Sequence, residues 1–311
     1  MSWPSVAVVD IGSNTIKVLV AGRSADGRPV ALLMRSIEAR ISAGIGAGEP
    51  RLGEEGMARG LAAIRTLLGD AEQHSPAATL LVATSAVRDA ANGPDFCARI
   101  RSATGRTVRI LSGMEEAGLI GRGLLCDPAL AGLDDFFVVD LGGGSLECLQ
   151  FAGRKIVRAA SPQLGCVRLT EAFVADPSRP FEPAAGRAIA AQVRLELDRA
   201  GLAIPASATV VGTGGTLATL RAVLAGRPGV PLGETEAVIP LARISGALES
   251  LGAMSLAERR EVPGLTPGRA DVFPAALATF EALARISGFG AYRHSFYNLR
   301  WGVAAEALGA G

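Results

Sequence analysis

The stretch VVDIGSNTIKVLV at residues 8–20 decides the fold, because a stretch of the same design, VVDLGGGSLECLQ, recurs at residues 138–150. Each copy is a short apolar run that ends in an aspartate, followed by a glycine-containing turn and a second apolar run. Short runs of β-branched residues bounded by such turns predict buried strands. Two hairpins of one design, more than a hundred residues apart, indicate a duplicated domain.

The residue types in and beside the two turns indicate a site for an anion and a cation. Asp10 and Asp140 each end a strand, and their hard carboxylate oxygens suit Mg²⁺ that also bridges a substrate phosphate. Glycine-rich turns let phosphate oxygens approach consecutive backbone N–H groups. For a single copy, an ordinary hairpin turn is the alternative interpretation. The duplicated pattern predicts a phosphate cleft between the two halves, with these turn residues in contact: Ser13, Asn14, Gly142, Gly143, Gly144 and Ser145.

Composition places the chain among globular proteins. It has 311 residues, with 49% hydrophobic and 20% charged residues, which is enough chain for two domains with cores. The net charge of +1 gives no support for binding to nucleic acid or to a membrane surface. The four cysteines form no close pair, as expected of reduced thiols in the cytoplasm. No segment has the pattern of a signal peptide or the length of an apolar membrane span.

The order of predicted elements favours an α/β fold in two halves. The first half is predicted to contain strands at 6–9, 16–21, 29–37, 79–83 and 107–111, with helices at 54–68, 95–103 and 112–125. The second half repeats the order βββαβα from residue 136. We therefore expect one domain at 1–125 and a second at 126–311, and the C-terminal helix, about 298–311, is a candidate to pack back on the first domain.

Three further residues are candidates for chemistry. Ser112 and Glu115 have the spacing of a capping box, which leaves Glu116 available to accept a proton from an attacking water; a solvated acid at a helix start is the alternative. Arg88 follows a strand and can bind phosphate oxygens, although a lone arginine at a helix start is usually a surface residue. Glu147 shares a strand face with Ser145, and a solvent-facing acid is its alternative.

A third glycine turn follows a predicted strand in VVGTGGTLATL at residues 210–220. Such a turn at a helix start can hold an anion, although turns of this kind are common. The chain has no GxxxxGK[ST] loop and no GxGxxG opening a βαβ unit, and neither of its two histidines lies in a glycine-turn motif. The candidate anion contacts in this turn are Gly212, Thr213, Gly214 and Gly215.

Six ordered motifs make the chain resemble one family. The motifs DIGSNTIK, ATSAVRDA, GMEEA, VVDLGGGSLE, VVGTGGT and PGRADVFPAAL occur in this order between residue 6 and about residue 302. Because it contains these motifs in this order, the chain is similar to the exopolyphosphatase / guanosine pentaphosphate phosphohydrolase family. The resemblance implies two ribonuclease H-like domains of the actin, Hsp70 and sugar kinase superfamily. It also implies Mg²⁺-dependent hydrolysis of a terminal phosphoanhydride in the cytoplasm by a homodimer.

The resemblance implies a role for each candidate residue. Glu116 resembles the water-activating base, Asp10, Asp140 and Glu147 resemble the ligands of the metal and water, and Arg88 resembles a phosphate clamp. Three features depart from the family pattern: Gly118 replaces a frequent arginine, Leu146 replaces the usual threonine, and no helical domain follows the two core domains.

These departures bear on substrate more than on reaction. We expect inorganic polyphosphate as the substrate, guanosine pentaphosphate (pppGpp) as the alternative, and a binding protein with little turnover, or a kinase of the superfamily, as further options. Four basic residues are expected near the second phosphate loop: Arg154, Lys155, Arg158 and Arg168.

Overall fold

The chain forms two compact units. The computed structural model describes residues 4–25, 27–43, 50–226 and 231–309. Unit 1 comprises residues 1–132 and 297–311, and unit 2 comprises residues 133–296. The division after Gly132 differs from the sequence-based one after residue 125, because the short 3₁₀ turn Pro128–Leu130 buries Leu130 against unit 1. The C-terminal helix, which the sequence analysis named as a candidate to pack back on the first domain, lies in unit 1.

The sheet of unit 1 has five strands in the order β3-β2-β1-β4-β5. Strands β1, β2 and β3 form an antiparallel meander, and β4 and β5 add in parallel on the other side of β1. The central strand β1 is buried along its whole length, as its run of β-branched residues predicts. The strands are β1 Val6–Ile11, β2 Thr15–Arg23, β3 Pro29–Glu38, β4 Ala78–Ala83 and β5 Val108–Ile110.

The sheet of unit 2 repeats this order and adds one strand. Its order is β10-β11-β9-β6-β7-β8, in which β6, β7 and β8 form the antiparallel meander and β9 and β11 are parallel to β6 and to each other. The short strand β10 pairs antiparallel with β11 at the edge. The strands are β6 Phe136–Leu141, β7 Leu146–Ala152, β8 Lys155–Ala160, β9 Val210–Thr213, β10 Val238–Pro240 and β11 Ala291–His294.

Helices pack on both sheets. In unit 1, α4 packs against α11 so closely that a Cβ on Gly302 would lie 1.8 Å from the carbonyl oxygen of Leu119. The helices of unit 1 are α1 Glu54–Glu72, α2 Ser85–Asp89, α3 Gly93–Thr104, α4 Gly113–Leu125 and α11 Leu299–Leu308. Those of unit 2 are α5 Cys166–Phe173, α6 Pro183–Ala200, α7 Gly215–Ala225, α8 Leu241–Gly252, α9 Leu256–Arg260 and α10 Phe273–Ser287.

The predicted α/β fold is confirmed. Both units contain an antiparallel meander followed by parallel strands, and the central order 3-2-1-4-5 is that of a ribonuclease H-like domain. Sequence reasoning missed three short elements: the five-residue helices α2 and α9 and the three-residue strand β10. Elements this short show too few periods for a hydrophobic pattern to be recognised. No helix within the described ranges is both long enough and apolar enough to cross a membrane.

Candidate active site

The second glycine turn, Gly142–Ser145, is held by the start of helix α5. The amide groups of Cys166 and Val167 donate to the carbonyl oxygens of Gly142 and Gly143 at 3.0 and 2.9 Å, and the Arg168 amide donates to Gly143 at 3.3 Å. Because these carbonyl groups point toward α5, the peptide groups of the turn have a fixed orientation. A glycine turn with fixed peptide groups is suited to hold an anion through its N–H groups.

The contact between α5 and this turn depends on a glycine at position 165. A Cβ at Gly165 would lie 2.3 Å from backbone atoms of Gly143 and Gly144, which is far inside van der Waals contact. The Arg168 side chain reinforces the contact, because its Nε donates to the carbonyl oxygen of Gly144 at 3.2 Å. The turn therefore rests on a close backbone-to-backbone contact and not on side-chain packing.

Asp140 and Glu147 are direct cross-strand partners on β6 and β7, next to this turn. Directly opposite residues in an antiparallel pair have side chains on one face, with Cβ atoms about 5 Å apart. Glu147 is buried and accepts a hydrogen bond from the Ser161 hydroxyl at 2.9 Å, whereas Asp140 is half-buried. Two carboxylates in this arrangement repel each other unless a cation lies nearby.

The equivalent position in the first hairpin carries the opposite charge. Asp10 pairs across the strands with Lys17, which stands where the second hairpin has Glu147. Burial raises the pKa of the Asp10 carboxyl, and the positive charges of Lys17 and Arg300 act against that rise. Asp10 thus already lies beside two cations, so its setting suits a metal ion less well than that of Asp140 and Glu147.

The first glycine turn, Gly12–Asn14, is supported by the turn that follows β3 instead of by a helix. The amides of Arg40 and Ser42 donate to the carbonyl oxygens of Asn14 and Ser13 at 2.9 and 3.2 Å. The Ser13 hydroxyl lies 3.2 Å from the hydroxyl of Ser85 at the start of α2. Asn14 is buried, and neither polar atom of its side chain has a hydrogen-bond partner. A buried amide in this state is a group that a ligand can satisfy.

Glu116 and Arg88, which the sequence assigned to different roles, are bound to each other. Arg88 Nη1 donates to Glu116 Oε2 at 2.9 Å and to the carbonyl oxygen of Leu111 at 3.0 Å. The predicted capping box at the start of α4 is present, with Glu115 bound to Ser112, and Arg109 also binds Glu115. These bonds lower the pKa of the exposed Glu115 to about 2. Of the neighbouring acids Glu115 and Glu116, only Glu116 is buried.

The third glycine turn lies next to Asp140 in unit 2. Gly214 has a φ of +92° and approaches Asp140 so closely that a Cβ would lie 2.3 Å from Asp140 Oδ1. Thr213 is fully buried, and its hydroxyl donates to the carbonyl oxygen of Ser295 at 3.0 Å. Thr213 and Gly212 thus lie within the strand, Gly214 alone forms the turn, and Gly215 is the first residue of α7.

Sequence reasoning missed Arg269 at this turn. A Cβ on Gly215 would lie 2.4 Å from Arg269 Nη2, so the guanidinium group covers the start of α7. Arg269 belongs to the segment PGRADVFPAAL, residues 267–277, which contributed to the family resemblance without a role for any of its residues. Its position beside Gly215 could not be read from the sequence, because the contact joins segments more than fifty residues apart.

Comparison with known proteins identifies the family. The model of the Ppx/GppA phosphatase family matches residues 20–310. The chain is 32% identical over 303 residues to "Exopolyphosphatase 2" of Mycobacterium tuberculosis, which covers 92% of this chain and 91% of that protein. This chain belongs to the Ppx/GppA phosphatase family.

Solved structures of the Ppx/GppA family share the fold. An exopolyphosphatase from Cytophaga hutchinsonii superposes with a TM-score of 0.87 at 24% identity, over 98% of both chains. The Aquifex aeolicus PPX-GPPA enzyme superposes with a TM-score of 0.78 at 24% identity, over 97% of this chain and 99% of that one. These two structures support the fold assignment made from the strand order.

Two departures from the Ppx/GppA pattern have different structural meanings. Leu146 is fully buried in the core of unit 2, and its amide donates to Pro162, so its side chain does not line the glycine turn. Gly118 lies on α4, and a Cβ there would meet nothing within 4 Å. The packing around α4 therefore does not require a glycine at position 118.

The prediction that four basic residues cluster near the second phosphate loop is wrong for three of them. Arg154 and Lys155 lie at the turn between β7 and β8, at the opposite end of β7 from Gly142–Ser145. Strand β7 has seven residues, and each adds about 3.3 Å along the strand. Arg158 lies on β8 and donates to the carbonyl oxygen of Ala200. Only Arg168 contacts the glycine turn.

The donor set near the second turn fits a hard divalent cation. Asp140 and Glu147 supply carboxylate oxygens, and Mg²⁺ commonly takes one or two carboxylates together with substrate phosphate and water. The described ranges contain no group of three or more His, Cys, Asp or Glu side chains that could hold a metal by themselves. A site of two carboxylates would thus depend on substrate oxygens to complete the coordination.

Proposed function

We propose that this protein is a Mg²⁺-dependent exopolyphosphatase that releases orthophosphate from the end of inorganic polyphosphate. The observation that carries the proposal is the pairing of Asp140 and Glu147 across β6 and β7, beside a glycine turn whose peptide groups are fixed by α5. Carboxylates for a cation and N–H groups for a phosphate occur together there. Family membership supports a phosphatase reaction at these groups.

The glycine turns bind and orient the phosphate end of the substrate. In unit 2, the N–H groups of Gly143 and Gly144, with Ser145, donate to phosphate oxygens of the substrate. In unit 1, Ser13 and Asn14 are a separate set of candidate donors. Asp140 and Glu147 would hold Mg²⁺, which when bound offsets charge on the phosphate oxygens. Phosphoryl transfer requires chiefly such positioning and charge stabilisation.

Glu116 supplies the proton acceptor. Its carboxylate takes a proton from water while the water oxygen forms a bond to the terminal phosphorus and the bond from phosphorus to the bridging oxygen breaks. The shortened polyphosphate leaves with the electron pair of that bond. Glu116 is buried at the first turn of α4, where the side chain has few alternative positions.

Polyphosphate suits the chain better than a guanosine nucleotide. A guanine base requires a stacking surface, and the exposed large hydrophobic side chains within the described ranges are all aliphatic or methionine. The aromatic residues are instead buried, as in the stacked pair Phe136 and Phe151, or half-buried, as Phe173, Phe181, Phe296 and Tyr297 are. The absence of an exposed aromatic in the described part of the chain favours a substrate without a base.

The experiment is a direct competition. Purified protein with Mg²⁺ is given polyphosphate, pppGpp and ATP separately and then together, and released phosphate is measured. We expect polyphosphate to be cleaved fastest. Faster cleavage of pppGpp would make the guanosine substrate the correct one, and binding without release would indicate a sensor. The family resemblance also suggests a cytoplasmic homodimer. Light scattering on the purified protein measures its mass in solution and so tests whether it is a dimer.

A further inference from the structure

We propose that Arg88 holds Glu116 while the site is empty and exchanges it for phosphate oxygens when substrate binds, so that the base is released only in a loaded site. This inference rests on the proposed function, because it assigns a regulatory step to the same base. It concerns Arg88 as a positioning residue, in addition to its contact with phosphate.

The bonds of Arg88 show what is exchanged. Its Nη1 donates to Glu116 Oε2 at 2.9 Å and to Leu111 at 3.0 Å, and its Nε lies 3.3 Å from Asp89 Oδ1. One guanidinium group therefore lies against two carboxylates. A carboxylate oxygen engaged in a charge-assisted hydrogen bond is a weaker acceptor for the proton of a water molecule.

The position of Arg88 brings it within reach of a phosphate. Arg88 lies on α2, three residues after Ser85, whose hydroxyl is 3.2 Å from that of Ser13 in the first glycine turn. One helical turn spans about 5.4 Å, so a phosphate group on the Ser13 turn lies close to the guanidinium group. The side chain of Arg88 is 21% exposed and that of Glu116 is 9% exposed, so an incoming anion meets the arginine first.

The exchange is favoured by charge. A phosphate group carries more negative charge than a carboxylate and offers three acceptor oxygens, and a guanidinium group forms two parallel bonds with it. Once Arg88 has turned to the phosphate, Glu116 Oε2 can accept a proton from water. No further reactant is required, because the water and the phosphate both belong to the proposed reaction.

The test is a double-mutant cycle on binding, measured without turnover. Tripolyphosphate is titrated by calorimetry, with metal chelated, into the wild type, Glu116→Gln, Arg88→Gln and the double variant. If Arg88 binds Glu116 and phosphate in turn, Glu116→Gln frees Arg88 and tightens tripolyphosphate binding. This gain in affinity should be larger by a factor of about five or more when Arg88 is present than in the Arg88→Gln background. If Glu116 only repels the anion, the gain is equal in both backgrounds and the proposal is overturned.

A matched ion pair between α4 and the neighbouring strand β5 provides the control. Glu115 and Arg109 also form a bond of 2.9 Å at the start of α4, but Glu115 is exposed and bound by its own capping box. Glu115→Gln and Arg109→Gln should leave tripolyphosphate affinity within about twofold of the wild type. A coupling as large as that of the main pair would mean that any charge at this helix start has the same effect.

Folding and function have separate readouts. If Arg88→Gln does not fold, because Glu116 is left buried without its cation, Arg88→Lys takes its place in the cycle; it keeps the charge and loses the paired geometry. Absence of tripolyphosphate binding in all variants overturns the exchange. Phosphate release from polyphosphate by the wild type is assayed separately with Mg²⁺. Absence of phosphate release would refute the proposed function. The binding cycle would still show whether Arg88 exchanges Glu116 for phosphate oxygens.

Discussion

Replacing Gly165 with alanine should damage the second glycine turn without changing any residue that touches substrate. Gly165 precedes α5 with φ −64° and ψ 149°, a conformation that alanine adopts without strain. The only obstacle is therefore steric. The new methyl carbon would lie 2.3 Å from the carbonyl carbon and oxygen of Gly143 and from the carbonyl carbon of Gly144.

The magnitude follows from this distance. Carbon atoms in contact lie about 3.5 Å apart, so α5 and the turn must separate by about 1 Å. This separation weakens three amide-to-carbonyl bonds, from Cys166, Val167 and Arg168, each of which contributes about 0.5–1.5 kcal/mol. We expect the free energy of unfolding to fall by about 2–4 kcal/mol. A displacement of about 1 Å in the groups that hold the reacting phosphate lowers kcat by about 10²-fold.

The assay is phosphate release from polyphosphate with Mg²⁺, alongside a denaturant titration that measures the folded fraction. Gly246→Ala is the matched control, because Gly246 lies within α8 and a Cβ there meets nothing within 4 Å. The control should keep its kcat and gain up to about 1 kcal/mol of stability. Wild-type kcat in a folded Gly165→Ala protein would refute the claim that α5 fixes the turn.

Three further changes test other parts of the site. Glu116→Gln should lower kcat by about 10²-fold or more while tripolyphosphate still binds. The control Glu115→Gln should cost at most about 1 kcal/mol of stability. Near-normal phosphate release by Glu116→Gln would show that Glu116 is not the base. Asp140→Asn should abolish turnover and flatten its dependence on added Mg²⁺, and full activity of the wild type in EDTA would contradict a metal requirement. Burial, with the charge of Arg221, lowers the pKa of His294 to about 3, so the unfolded chain binds a proton that the folded chain does not between pH 3 and about 6.5. The free energy of unfolding should therefore decrease as the pH falls below about 6.5, by up to about 1.4 kcal/mol per pH unit. Thermal unfolding of His294→Gln across this pH range should show a smaller decrease per pH unit.

The fold could be predicted from the sequence because its deciding signals are local. The runs Val6–Ile11 and Phe136–Leu141 are apolar, the turns that follow contain glycine, and Ser112 and Glu115 have the spacing of a cap. Each of these signals depends on residues a few positions apart. The boundary between the two units was less predictable, because the burial of Leu130 depends on tertiary packing that no local pattern shows.

The site could be predicted in its residue types and in its one hairpin pairing, but not in the contacts between segments far apart in the chain. The register of a hairpin places Asp140 opposite Glu147, so the shared face of these two acids follows from the sequence. The bond between Arg88 and Glu116 joins residues 28 positions apart, so it depends on the tertiary structure that brings these two side chains together. Arg269 was missed for the same reason, and the distance of Arg154 from the turn became visible only with the length of β7.

The return of helix α11 to unit 1 has a consequence for how the protein is made. Residues 1–132 leave the ribosome first, yet the side of the sheet and of α4 that α11 covers has no partner until residues 299–308 have been synthesised. Gly123 and Gly302 let the backbones of α4 and of the α11 region lie in direct contact. A side chain at either position would push the two helices apart. Throughout translation of unit 2, the nascent N-terminal unit therefore presents an apolar face, where chaperones can bind and from which aggregation can begin.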